Sequence, residues 1–188
     1  MTTRPKSNSK YGTFLVVLFI VILILLAFRS CGSDSITDDG AASIDLPEKV
    51  GEFTTTDLYG NEVTEAIFSE KEVTLVNVWG TYCLPCIAEM PDLREIDESL
   101  SDDAQIVGIV CDASNMKCEE YEDALKIAGE SDTKFVNLLY NKSMTFMDSI
   151  SAIPTSFLVD SDGNIIGGPI IGRQTEAYKK ALADYLIE

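Results

Sequence analysis

Val73-Thr74-Leu75-Val76-Asn77-Val78-Trp79-Gly80-Thr81-Tyr82-Cys83-Leu84-Pro85-Cys86 is the stretch on which the fold of this chain turns. Val73 to Trp79 is β-branched and mostly apolar, as a strand covered on both faces would be. Two cysteines follow at once, separated by two residues. From Ile87 to Leu100, the residues Met90, Leu93, Ile96 and Leu100 recur at helical spacing, and Pro91 is expected to bend that helix in its second turn. The cysteine pair therefore stands where a strand gives way to a helix.

That position suits redox chemistry. Free backbone N–H groups and the positive end of the helix dipole stabilise a thiolate, so Cys83 is expected to be the attacking nucleophile. Cys86, one turn further in, is expected to be more buried and to resolve the mixed disulfide. Pro85 removes one backbone donor and stiffens the ring. A static disulfide would close so short a loop that its entropic stabilisation falls near the low end of the usual ~2–4 kcal/mol. A zinc cluster of Cys83, Cys86, Cys111 and Cys118 would need six residues between its second pair, where two to four are usual. The chain has no histidine, which excludes Ser-His or Cys-His catalysis and a His-ligated metal. Neither a cofactor nor a metal is called for. Cys111 and Cys118 are either a second disulfide or two unpaired thiols.

Outward from this centre, the charge is uneven. Arg4, Lys6, Lys10 and Arg29 face no acidic residue in positions 1–30, which leaves 10 basic against 31 acidic residues in 31–188, a formal charge of −21. Such a surface repels nucleic acid. Phe14 to Phe28 carries no polar side chain, and the 18 uncharged residues from Tyr11 to Phe28 reach about 27 Å as a helix, enough to cross a hydrocarbon core. Basic residues before this run and acidic ones after it put the N-terminus in the cytoplasm. We therefore read 1–12 as a basic cytoplasmic tail, 13–29 as a single-pass signal anchor, 30–46 as a flexible linker and 47–188 as one extracytoplasmic domain. Ser30-Cys31-Gly32-Ser33 keeps open the alternative of a lipoprotein anchored through Cys31.

Within the domain, Glu52–Asp57 and Asn61–Val63 flank a Leu58-Tyr59-Gly60-Asn61 turn and predict an N-terminal β-hairpin. Gln105–Val110 and Phe135–Leu139 read as further strands, and Met116–Ala128 as a helix with Tyr121, Leu125 and Ala128 on one face. Thr155–Val159 and Ile165–Ile171 form a hairpin around Asp160–Asn164, and Thr175 caps a last helix running to Ile187. This order implies an α/β fold, a central mixed β-sheet flanked by helices.

Val76 to Cys86, Glu89-Met90-Pro91, and Ala152-Ile153-Pro154-Thr155-Ser156-Phe157-Leu158-Val159-Asp160 together resemble the TlpA/ResA-like branch of the thioredoxin superfamily, membrane-anchored thiol-disulfide oxidoreductases. The resemblance implies a thioredoxin-like fold with Trp79, Pro85 and Pro154 supporting the Cys83/Cys86 pair, and a cis bond at Ile153-Pro154 beside the redox-active disulfide. Thioredoxins themselves carry a buried aspartate where this chain has Asn77. Glu89, three residues after Cys86 on the same helix, is the natural substitute, tuning the thiols and relaying protons. The resemblance further implies partner proteins bearing thiols or disulfides outside the cell, and a membrane thiol-electron transporter as the electron source. Reduction of partners, in cytochrome c maturation or at surface proteins, is the leading expectation. A disulfide-forming oxidase and a thioredoxin-fold peroxidase are the alternatives. For the peroxidase, Val76 and Gly80 stand where Pro and Thr are expected.

Overall fold

The computed structural model describes residues 44–186 and, apart from them, Leu15. The basic tail, the anchor segment, Cys31 and nearly all of the linker fall outside these residues. Among the described residues no helix is long and apolar enough to cross a membrane.

The hairpin forms as expected, from β1 (Thr54–Thr56) and β2 (Glu62–Thr64), antiparallel. Its turn closes on Asp57, whose Oδ1 accepts from the N–H groups of Tyr59 and Asn61 while Oδ2 accepts from Asn61 Nδ2 at 2.8 Å. The main sheet contains β3 (Val73–Trp79), β4 (Ala104–Val110), β5 (Val136–Leu139), β6 (Thr155–Asp160) and β7 (Ile165–Ile171), in the order β5-β4-β3-β6-β7. Strands β3, β4 and β5 are parallel, and β6 and β7 run antiparallel to their neighbours. The β6–β7 turn repeats the device of the first hairpin: Asp160 Oδ1 accepts from Asp162 and Asn164 N–H groups, and Oδ2 from Asn164 Nδ2. Asp-Leu-Tyr-Gly-Asn and Asp-Ser-Asp-Gly-Asn thus close their turns by one mechanism, with Gly60 and Gly163 supplying the positive φ that other residues resist.

Every residue of β3 is buried, as expected of a mostly apolar strand covered on both faces. Leu75 and Trp79 join the core beneath α1 (Leu84–Ser99), α2 (Glu119–Glu130) and α3 (Thr175–Leu186), while Val76 and Val78 join a second core on the opposite face. These three α-helices pack against the first face. The second is covered by the chain around Val50 and Phe53 and by two short 3-10 helices, Glu65–Glu70 and Thr145–Ser149, through Phe68 and Phe146.

Three details differ from expectation. Helix α2 begins at Glu119, because the chain bends at Asn115 and turns at Met116–Lys117, where Lys117 N–H bonds to Asn115 Oδ1 instead. Its fully buried stripe is Ala124 and Ala128, with Tyr121 and Leu125 half-covered at the flanks. Thr175 does not cap α3. Its hydroxyl donates to Asp92 Oδ2 at 2.8 Å, and the first turn closes on the Gln174 carbonyl.

Candidate active site

Strand β3 ends at Trp79, and Gly80-Thr81-Tyr82 carries the chain across the sheet end to Cys83. Two anchors fix this crossing. Trp79 Nε1 donates to Asn137 Oδ1 at 2.9 Å, and Thr81 donates to Asp112 through both its N–H and its hydroxyl, the latter at 2.6 Å. Cys83 then occupies the N-cap of α1, its N–H held by the Gly80 carbonyl and its Sγ accepting from Cys86 N–H at 3.3 Å. Pro85 falls in the first helical turn, where its missing N–H leaves no bond unmade. Cys83 and Cys86 are joined in a disulfide with their Cα atoms 5.2 Å apart. Cys83 is 6% exposed and Cys86 wholly buried, the asymmetry that an attacking and a resolving sulfur need. Tyr82 and Leu84 stand out on either side of Cys83, 71% and 77% exposed.

Glu89 is fully buried, one turn below Cys86. Its Oε1 accepts from Asn77 Nδ2 at 2.8 Å and its Oε2 from the Tyr178 hydroxyl at 3.0 Å. Burial pushes its pKa above the ordinary carboxylate value, against the opposing pull of Asn77, Tyr178 and the Arg173 charge. Asn77 faces α1 because alternation along β3 puts it on the same side as Leu75 and Trp79. In register it lies level with Gly108 of β4 and Ser156 of β6, and Gly108 is level with Asn137 of β5. A polar row thus crosses the sheet directly under the redox helix. Gly108 is required there, since a Cβ at that position would collide with the Asn137 side chain that holds Trp79.

The Ile153-Pro154 bond is cis, and Pro154 is buried. Val78 pairs with Thr155, the first residue of β6, so Pro154, one residue before that strand, lies level with the end of β3. Ile153 Cδ1 approaches the space above Gly80, the residue that begins the crossing to Cys83. From this corner a groove of about 250 Å³ opens between Tyr82, Cys111, Tyr140, Met147 and Ile150.

Cys111 and Cys118 carry free thiols; they do not form the second disulfide considered above. Cys111 lies directly after β4, its Sγ beside Gly80, and burial followed by the Asp112 charge pushes its pKa to about 11. Such a thiol stays protonated and unreactive at neutral pH. Cys118 occupies the N-cap of α2, where its S–H donates to the Asn115 carbonyl. Sequence reasoning did not reach Tyr178, Ser156 or Asp112. Tyr178 is a core position of an amphipathic helix by spacing alone, and only the packing of α3 on α1 brings its hydroxyl to Glu89.

Residues 45–182 match the family model described as Redoxin. The chain is 28% identical over 180 residues to the thiol-disulfide oxidoreductase ResA of a Bacillus cereus strain, across 90% of this chain and 94% of that protein. It is 34% identical over 106 residues to the thiol:disulfide interchange protein CycY of Rhizobium leguminosarum bv. viciae, across 55% of this chain and 52% of that one. The thioredoxin domain of a thiol-disulfide oxidoreductase from Bacteroides vulgatus superposes with a TM-score of 0.59 at 26% identity, over 74% of this chain and 99% of that domain.

Proposed function

Because the chain belongs to the Redoxin family, in its ResA-like branch, and is a thiol-disulfide oxidoreductase, we propose that it works outside the cell membrane as a reductant of partner proteins. The observation that carries this reading is the set of charges around Cys83. A strong oxidant owes its potential to a stabilised reduced form, usually a thiolate held by nearby positive charge. Here the nearby charged groups are acidic: Asp112 grips Thr81, and Glu89 lies one turn below Cys86. Thr81 to Ile87 contains no cation, and Arg173 is committed to Asp92 at 2.7 Å. Among the described residues the helix N-terminus is then what supports the Cys83 thiolate, so the disulfide is the favoured state and the dithiol gives up its electrons readily.

The resolving step follows from the same geometry. The Cys83 thiolate attacks a partner's disulfide, one partner sulfur leaves as a thiolate, and a mixed disulfide forms. Cys86 loses its proton, attacks Cys83 Sγ and releases the second partner sulfur, so that two electrons pass to the partner. Glu89, buried one turn below, is the acceptor for that proton. Anchoring through 13–29 is supported by the apolar run and by a ResA likeness that covers 90% of the chain, more than 47–188 alone supplies. The names of ResA and CycY point to protein disulfides as substrates.

Equilibration against thiol redox buffers tests the direction: we expect a potential of about −270 mV, and a value of about −120 mV would make the protein an oxidant. Cys86→Ser should accumulate mixed disulfides with extracytoplasmic proteins, and capture of cytosolic proteins alone would overturn the placement.

A further inference from the structure

The buried carboxylate shares one of its two donors with another acceptor. The Tyr178 hydroxyl oxygen lies 3.0 Å from Glu89 Oε2 and 3.0 Å from the Gly172 carbonyl oxygen. A phenol has one proton to donate, so it serves one of these acceptors at a time. The N–H of Gly172 in turn donates to the Pro154 carbonyl at 2.7 Å. On the other side of the carboxylate, Asn77 Nδ2 bonds both Glu89 Oε1 and Ser156 Oγ, the latter at 3.0 Å, while Asn77 Oδ1 is buried without a partner. Hydrogen bonds therefore run from the acid on α1, through a side chain of α3, to the corner of β6 beside the redox disulfide.

We propose that Tyr178 is a positioning residue that couples the charge of Glu89 to the Pro154 corner through this one shared hydroxyl proton. The inference deepens the disulfide-exchange reading and rests on it. With Glu89 ionised, the hydroxyl donates to Oε2 and the Gly172 carbonyl goes without it. When Glu89 takes up a proton, the new carboxyl O–H is itself a donor, free to serve Tyr178 Oη or, once the amide turns over, Asn77 Oδ1. The Tyr178 proton then turns to Gly172. Tyr178 stays a phenol throughout, since burial and the Glu89 charge hold its pKa at about 12. Only the direction of its bond changes. The groups facing Glu89 are Asn77 and Ser156 from the sheet, Tyr178 from α3, Cys86 and Asp92 on its own helix, and Arg173, which pairs with Asp92. Proton traffic at Glu89 during exchange is thus felt by the residue whose N–H grips Pro154.

The experiment follows the carboxyl carbon of Glu89 by 13C NMR in the full-length oxidised protein, assigned with Glu89→Gln, together with the Gly172 amide. In Tyr178→Phe the charged form loses a donor, so the Glu89 midpoint should rise by about one pH unit. The Gly172 amide should titrate with Glu89 in the wild type and become flat in Tyr178→Phe. With 3-fluorotyrosine at position 178, a near-isosteric and more acidic phenol, the midpoint should move down. This second substitution carries the test if Tyr178→Phe does not fold. The midpoint of the pH–rate profile for exchange should shift with the carboxyl, whereas a merely structural role would lower the rate at every pH. An unmoved Glu89 midpoint, or a Gly172 amide that still follows Glu89 without the hydroxyl, overturns the proposal. Both readouts are taken on the resting disulfide and hold whether or not the protein reduces partners; loss of that function would show separately, as wild type and Cys83→Ser equally inert.

Discussion

Cys83 and Cys86 share one disulfide but sit in different surroundings, and Glu89 belongs to the inner sulfur. A carboxylate without solvent, in a site whose nearest countercharge is shared with Asp92, is costly to ionise, which is why its pKa is raised. The folded protein then binds this proton more tightly than the unfolded chain does. The stability so gained is complete below the unfolded value near 4.5 and is lost as pH rises through the higher folded one. Glutamine fits the same space: its carbonyl can accept from Asn77, its amide can donate to Tyr178 Oη, and the Tyr178 proton can turn to Gly172. Glu89→Gln should therefore be at least as stable as the wild type at pH 7 in urea titrations, with the pH dependence above about 4.5 reduced. Its exchange rate should fall by about 100-fold, because no base remains for Cys86. An unchanged rate and pH profile would remove Glu89 from the mechanism. Glu89 was legible in the sequence through its spacing from Cys86 and the Glu-Met-Pro motif. Tyr178 was not, because Glu89 lies 89 residues away from it in the chain and helical periodicity marks it only as apolar core.

The elements were legible where a short-range rule governs them. Both hairpins follow from an Asp that gathers the N–H groups of its own turn, and β3 follows from a β-branched, mostly apolar run. The start of α2 was misread because Met116 continues the apolar pattern, although Asn115 holds that stretch in a turn by accepting from the N–H groups of Lys117 and Cys118. The polar row across the sheet was beyond reach for another reason: it is created by register, which links residues in four strands. Gly108 shows what the register demands. A methyl group there meets Asn137 and pushes it from Trp79 Nε1, so Gly108→Ala should cost about 1–3 kcal/mol in denaturant unfolding. Asn137→Ala removes the obstacle and leaves the indole N–H unpaired, at about 1–3 kcal/mol by itself. The double variant should lose clearly less than the sum of the two, since the collision exists only when both side chains are present. Additive losses would show that Gly108 is required for some other reason.

At the scale of the whole molecule, redox state and stability are two sides of one cycle. The sheet carries α1, α2 and α3 on one face, and the disulfide closes the first turn of the helix that lies over the polar row. Reducing it leaves the core in place but puts two thiols where the surroundings are acidic and half-closed. If those surroundings disfavour the thiolate, folding favours the disulfide, and the same preference appears twice: as a low reduction potential and as a more stable oxidised protein. For this two-electron couple, every 30 mV by which the folded potential lies below that of the unfolded chain corresponds to about 1.4 kcal/mol. The oxidised form should accordingly unfold at higher denaturant concentration than the reduced form, by several kcal/mol, with the gap agreeing with the measured potentials. Cys83→Ser, which cannot close the bond, should unfold at one midpoint with or without reductant. Strong oxidants behave the opposite way, because their native state stabilises the thiolate. A reduced form more stable than the oxidised one would therefore reverse the proposed direction of electron flow while leaving Cys83 as nucleophile and Cys86 as resolver intact.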